Sequence, residues 1–361
     1  MPTPDFTPFT SHQASRRGFL KIGGLSVAGL AAAGVLASCG SDSESSSTAG
    51  GSAAGLTALS VQLSWILDTE WAPFFIADDK GYFADNGVEL NMTPGGADIG
   101  AVEGLVASGK YDLGVATDIA SVVAAAADGN PLVILGALYQ HNLNGFMSHP
   151  DKPITSMKDM IGKRVGGNQG VQTKFDAMFR LNGLEPDYTF VPIGYGPDAL
   201  INGDCDVQSG FMTDEALAYE TATGNKPALF TWDDAGFESY TLTIFTTKKT
   251  LEAKRDAIKG FLAGAVKGAE ENLLDSKVGA KLAAEKYGKD AGLDLEEEQG
   301  KNALYVPFAE SEGTKAKGQL WVDPERLAGP IFKAMEASDL KTLPVKDVLD
   351  VSLLEEIYKA G

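Results

Sequence analysis

The segment Trp65-Ile66-Leu67-Asp68-Thr69-Glu70-Trp71 puts two indoles and two carboxylates on one short stretch. Aromatic faces stack on planar rings and carboxylates accept from N–H groups, so the combination suits a flat, nitrogen-bearing guest. Core packing of either indole is the plain alternative. A second acidic pair stands in Phe211-Met212-Thr213-Asp214-Glu215. It either meets a ligand or complements the dipole of the helix it opens. In Ala116-Thr117-Asp118, Asp118 or Thr117 reads as a helix N-cap, and Thr117 is also placed to face a cleft. Gly166-Gly167-Asn168-Gln169-Gly170 precedes another helix, where free N–H groups favour ligand oxygens or anions. The Gly-x4-Gly-Lys-Ser/Thr spacing of a phosphate loop is absent there. His141, in Tyr139-Gln140-His141-Asn142, has no sequence neighbours of metal-ligand type and reads as a hydrogen-bonding residue. With three histidines and two cysteines in the chain, neither a zinc site nor a catalytic triad is expected, and no cofactor is assigned.

These residues need elements to hold them. From Leu59 onward, short apolar runs alternate with amphipathic ones. LSVQLSW, VELNMT, YDLGVA and LVILGALYQ read as strands; PFFIADDKGYFADNG, IGAVEGLVASGK and IASVVAAAADG read as helices between them. A second series begins after DKPITSMKDMIGKRVGG, with strands around Arg164 to Gly166, YTFVPI and VQSGF and helices VQTKFDAMFRLNG, PDALINGD and DEALAYETATG. SYTLTIFTTKK then reads as a strand leading into a long helical pattern from Leu251 to Leu274. Alternation of this kind implies α/β architecture with parallel βαβ units. The length suits two lobes, with crossings near Pro150 to Ile154 and Glu238 to Thr243. The expected division is 58–152 for the first part of lobe I, 153–240 for lobe II, and 241–361 for the return to lobe I and the C-terminal helices.

The N-terminal part reads differently. Arg16 and Arg17 in SRRGFLK precede an Ala/Gly-rich apolar run, which marks an export signal over 1–38 of the twin-arginine type. The run falls short of the roughly 20 strongly apolar residues that a membrane span needs. Leu36-Ala37-Ser38-Cys39 has the pattern of a lipobox, making Cys39 the lipidation point, and the Ser/Gly-rich stretch 39–57 is a flexible tether. A lipid-anchored protein on the extracytoplasmic face of the cell membrane is expected. Cys205 then has no disulfide partner. The net charge of -19 excludes nucleic acid as a partner.

Gln62-Leu63-Ser64-Trp65, Pro73-Phe74-Phe75-Ile76-Ala77, Lys80-Gly81-Tyr82-Phe83, Gly87-Val88-Glu89-Leu90, Ala107-Ser108-Gly109-Lys110-Tyr111-Asp112-Leu113-Gly114 and Gly162-Lys163-Arg164-Val165-Gly166 together resemble the solute-binding proteins of ABC importers. The branch is the one similar to thiamine-pyrimidine synthase, with receptors for pyrimidine precursors of thiamine and for riboflavin. The resemblance implies a type II periplasmic-binding fold that closes like a hinge on a small heterocycle, with a permease and its ATPase as partners. It also implies that Trp65, Trp71 and Tyr139 sandwich the ring and that Glu215 and Gln140 read its polar edge. Asp68, Asn168, Gln169 and Asp214 are implied as further contacts, and Tyr240 lies toward the hinge. Where relatives carry Asn-His, this chain has Glu70-Trp71; where they carry Asn-Glu, it has Asp214-Glu215. Acids in place of an arginine speak against the sulfonate and nitrate receptors of the superfamily. The eukaryotic synthase on this fold is associated with pyridoxal phosphate, a sacrificed histidine and a cysteine-rich iron motif. The lack of that cysteine cluster, together with export, leads to the expectation that this chain is not an enzyme.

Overall fold

The computed structural model describes residues 55–360, so the export signal, Cys39 and the tether up to residue 54 lie outside the described residues. Two five-stranded sheets form two lobes. The first contains β1 (Thr57–Leu63), β2 (Val88–Thr93), β3 (Leu113–Asp118), β4 (Leu132–Tyr139) and β10 (Thr241–Thr247), ordered β2-β1-β3-β10-β4. The second contains β5 (Asn144–Ser148), β6 (Lys163–Gly167), β7 (Tyr188–Pro192), β8 (Val207–Phe211) and β9 (Ala228–Thr231), ordered β7-β6-β8-β5-β9. All eight residues of β4 and all seven of β10 are buried. Strands with both faces covered carry continuous apolar or β-branched runs, which is how LVILGALY and TLTIFTT read. Helices supply the cover, Ala72–Asp79 and Arg255–Leu274 on one face of the first sheet and Ile119–Ala127 on the other.

The sheets are not wholly parallel. β10 runs antiparallel to β3 and β4, and β5 runs antiparallel to β8 and β9. The first chain crossing lies earlier than the expected position, whereas the second overlaps the expected one. The first lies between Tyr139 and Asn144, because β5 pairs within the second sheet; residues 144–152 therefore go with lobe II and not with lobe I. The second lies between Thr231 and Thr241. The C-terminal helices are not confined to lobe I either. Ala334 joins the core of lobe II, and Arg180 donates to the Ala337 carbonyl at 2.6 Å.

Two side-chain devices fix the frame. Along Arg255–Leu274, Gly260, Gly264 and Gly268 recur at helical spacing; a Cβ at Gly264 would press on Phe83, and one at Gly268 would overlap the Pro73 carbonyl oxygen. Only residues without a side chain allow the helix to lie this close to its neighbours. At the crossings, Arg326 donates to the Gln140 carbonyl (2.5 Å) and to the Glu238 carboxylate (2.7 Å), with its guanidinium over the Tyr240 ring at 4.6 Å. One guanidinium thus touches both connections between the lobes.

Candidate functional site

Ligands of open α/β sheets bind outside the carboxyl ends of parallel strands. Here the carboxyl ends of β1, β3, β6, β7, β8 and β9 open on one cleft between the lobes, together with the amino ends of the antiparallel β5 and β10. Its lining reads off these termini: Trp65 after β1, Thr117 and Asp118 at the end of β3, Asn168 after β6, Tyr195 after β7, Glu215 after β8, Trp232 after β9, Asn144 and Leu242 at the starts of β5 and β10. Lys301 and Tyr305 enter from the C-terminal helix Leu295–Tyr305. The cleft has a volume of about 440 Å³, within the usual range for small-molecule sites.

Aromatic surface comes from both lobes. Trp65 and Tyr195 meet across the mouth with ring centroids 5.2 Å apart at 54°. Trp232 forms a deeper wall, held edge-on against Phe175 and Phe237 with centroids 6.1 and 5.6 Å away. Its indole Nε1–H is buried without an acceptor. Lys174 crosses from lobe II to bind Asp118 of lobe I at 3.0 Å, and its ammonium lies 5.8 Å from the centre of the Trp232 ring. Asp118 does two jobs, since its other oxygen accepts from the Ser121 N–H and caps Ile119–Ala127. Burial works to raise its pKa, but the Lys174 ammonium and these hydrogen bonds hold it below the usual carboxylate range.

Carboxylates dominate the floor. Asp68 accepts from the Glu70 N–H at 3.1 Å, and Glu298 accepts from the Thr69 N–H at 2.9 Å, which fixes the turn Thr69–Trp71. Asp214 accepts from Tyr305 (2.9 Å) and Thr213 (2.8 Å) and lies 3.5 Å from Lys301. Lys301 is shared further with Glu297 and Glu298. Burial pushes Asp68 and Glu70 well above the ordinary carboxylate range, with Asp214 and Glu298 adding to both and Asp68 adding to Glu70. Glu215 is pushed up to about 7 by burial and by the Asp214 charge, against the pull of backbone N–H groups. Among the described residues, its Oε2 is buried with no partner, as is Oε1 of Glu70. Gly210 makes room for this arrangement: a Cβ there would stand 2.8 Å from Glu215 Cδ. A buried, unmatched acceptor is costly, so a cleft whose lining keeps two of them, one from each lobe, suits a guest that brings donors.

Of the residues expected from sequence, Trp65, Asp68, Thr117, Asn168, Asp214 and Glu215 line this cleft. The others do not. Trp71 is fully buried, donates to the Ile66 carbonyl at 2.8 Å and stacks with Phe74, so the core-packing alternative holds for it. Tyr139 is buried behind the floor, donating to the Glu70 carbonyl, and cannot sandwich a ring. Gln140 is buried against the C-terminal segment, where its side-chain oxygen accepts from Ser311, so it does not read a ligand's edge. Gln169 is exposed outside the lining. Tyr240 faces a separate crevice around Arg326 and Asp233. Sequence reasoning missed Tyr195 and Trp232 as well as Lys174, Lys301 and Tyr305. Tyr195 follows YTFVPI, so the strand-end rule alone could have found it. Trp232 follows β9, a strand the sequence reading did not assign.

The sequence profile of the family described as NMT1/THI5 like matches residues 68–275. A 4-amino-5-hydroxymethyl-2-methylpyrimidine phosphate synthase of Legionella pneumophila is 28% identical over 218 residues, 58% of this chain and 68% of that protein. The protein of the same name from Schizosaccharomyces pombe is 31% identical over 147 residues, 40% of this chain and 42% of that one. The chain thus spans less than half the length of the yeast relative. Among solved structures, a putative periplasmic sulfonate-binding protein of an ABC transporter from Methylobacillus flagellatus superposes with a TM-score of 0.61 at 12% identity, covering 85% of this chain and 95% of that one. At that identity the match establishes the periplasmic-binding fold and nothing about the guest. The relatives overturn the expectation of a non-enzyme. That expectation rested on a missing cysteine motif and on an export signal expected from sequence, whereas the similarity runs through chains named as synthases, one of them bacterial.

Proposed function

The chain belongs to the NMT1/THI5-like family, and from that premise we propose that its interlobe cleft captures a small planar nitrogen heterocycle of the aminopyrimidine class. Trp65 and Tyr195 cover the ring at the mouth, Trp232 walls the interior, and Glu215 accepts from the ring's amino group. The observation that carries this reading is that Glu215 and Trp232 both line this hollow and each keeps a buried polar atom, Oε2 and the indole N–H, without a partner among the described residues: one acceptor and one donor suited to a guest that offers both. In this reading the protein is the receptor of an ABC importer, exported by the twin-arginine route and held by lipid at Cys39 on the extracytoplasmic face, with a permease and its ATPase downstream. The fold likeness to importer receptors supports it.

A second reading, chemistry akin to that of the synthases, is favoured by the names its relatives carry. Pyridoxal phosphate, the cofactor associated with that enzyme, would need a free lysine and a phosphate cradle. The cleft lining holds Lys174 and Lys301, both engaged by carboxylates, and no arginine. The residues present do not fit that group.

One experiment separates the readings. Calorimetric titration of the full chain with 4-amino-5-hydroxymethyl-2-methylpyrimidine, riboflavin and taurine, followed by mass spectrometry of the recovered small molecule, is expected to show saturable binding of a heterocycle. Binding of taurine alone would overturn the aminopyrimidine assignment, and a chemically altered product would favour the synthase reading. Replacing Cys39 with Ser is expected to abolish lipid labelling; unchanged labelling refutes the anchor.

A further inference from the structure

We propose that the guest of this cleft binds as a cation, a heterocycle bearing formal positive charge that pairs with Glu215 inside an aromatic frame. The inference rests on the ligand-binding reading above and specifies its guest more narrowly. The lining holds six acidic side chains, Asp68, Glu70, Asp118, Asp214, Glu215 and Glu297, against two ammonium groups. Both ammonium groups are already committed. Lys174 is 3.0 Å from Asp118, and Lys301 is divided among Asp214, Glu297 and Glu298. Glu215 has no such partner: its Oε2 is buried and bare. Glu70, 3% exposed and also in the lining, leaves its Oε1 equally bare.

Two unpartnered carboxyl oxygens, of Glu70 from lobe I and of Glu215 from lobe II, discriminate among guests. An anion would be repelled and an apolar molecule would leave both oxygens stranded. A neutral donor would satisfy hydrogen bonding without balancing charge. A cation does both, and the rings of Trp65 and Tyr195 at the mouth, with Trp232 and Tyr305 in the lining, supply aromatic surface of the kind that favours positive charge. That Glu215 is pushed up to about 7 by burial and the Asp214 charge is the behaviour of a carboxyl lacking a counter-ion, in agreement with this geometry.

The test is calorimetry on the full chain at pH 8 with two probes of one shape: 1-methyl-4-aminopyridinium, permanently charged, and 4-methylaniline, its neutral isostere. The cation is expected to bind at least tenfold more tightly, and Glu215→Gln, with unchanged near-UV circular dichroism, is expected to shrink that preference below threefold. Equal or tighter binding of the neutral isostere overturns the proposal, as does a preference that survives in Glu215→Gln. If 4-amino-5-hydroxymethyl-2-methylpyrimidine, uncharged at this pH, binds while the pyridinium does not, the cation proposal falls and the ligand-binding reading stands. If no heterocycle binds, both fall.

Discussion

Replacing Glu215 by Gln should make the ligand-free protein more stable at alkaline pH. The folded protein holds this carboxyl at about 7, against 4.5 for the ordinary group, because burial and the Asp214 charge oppose ionisation. A folded-state pKa above the unfolded one means that the native state binds more protons over the interval between them. The carboxyl therefore favours folding fully below about pH 4.5, and that advantage disappears as pH rises through about 7. At 1.36 kcal/mol per pKa unit the separation amounts to about 3 kcal/mol by pH 8. Gln keeps the shape and cannot ionise, so it avoids this cost. Urea denaturation at pH 5 and pH 8 measures the difference. The variant should match the native chain near pH 5 within about 1 kcal/mol and exceed it by about 3 kcal/mol at pH 8. It should at the same time lose about 1.5–3 kcal/mol of heterocycle affinity, the usual worth of a hydrogen bond to a charged group. A stability gap that is the same at both pH values, or a variant less stable at pH 8, would refute the claim that Glu215 is an uncompensated buried acid.

Trp65→Ala should weaken binding of an aromatic guest about 2- to 13-fold by calorimetry, since an aromatic pair is worth about 0.5–1.5 kcal/mol, while leaving the fold intact; Trp71→Ala should instead destabilise the protein by about 3–5 kcal/mol through a core cavity. Lys174→Met removes the link to Asp118 and should shift the lobes toward an open form by about 1–2 kcal/mol, a 5- to 30-fold change in ratio; spin labels on each lobe would report it, and an unchanged distance distribution would count against the link. Gly268→Ala should lower the urea midpoint, at a cost of about 1–3 kcal/mol, because its methyl must displace the Pro73 carbonyl.

The fold was more legible than the site. Alternation of apolar runs such as LVILGALY with helical stretches announced two α/β layers, because burial on both faces leaves a continuous signature. Strand direction left no such mark. β5, the short segment NGFMS, is read only from its partners β8 and β9, so the first crossing was placed some residues late. In the cleft, the acids of the β8 loop and Trp65 were visible because strand termini point there. Trp71 misled for a physical reason: six residues beyond Trp65, at the end of a tight turn, it faces the core and its N–H is satisfied by Ile66. Lys301 and Tyr305 reach the cleft from a helix distant in sequence, and no local pattern reveals such an approach.

Arg326 carries a mechanical corollary. Because a single guanidinium grips the Gln140 backbone on one connecting strand and Glu238 on the other, the two connections cannot bend independently. Any reorientation of the lobes is steered toward a swing about one axis, and sliding of one sheet past the other is resisted. The side chain belongs to the short turn Pro324–Arg326 near the far end of the chain, so the C-terminal segment would feel each swing directly.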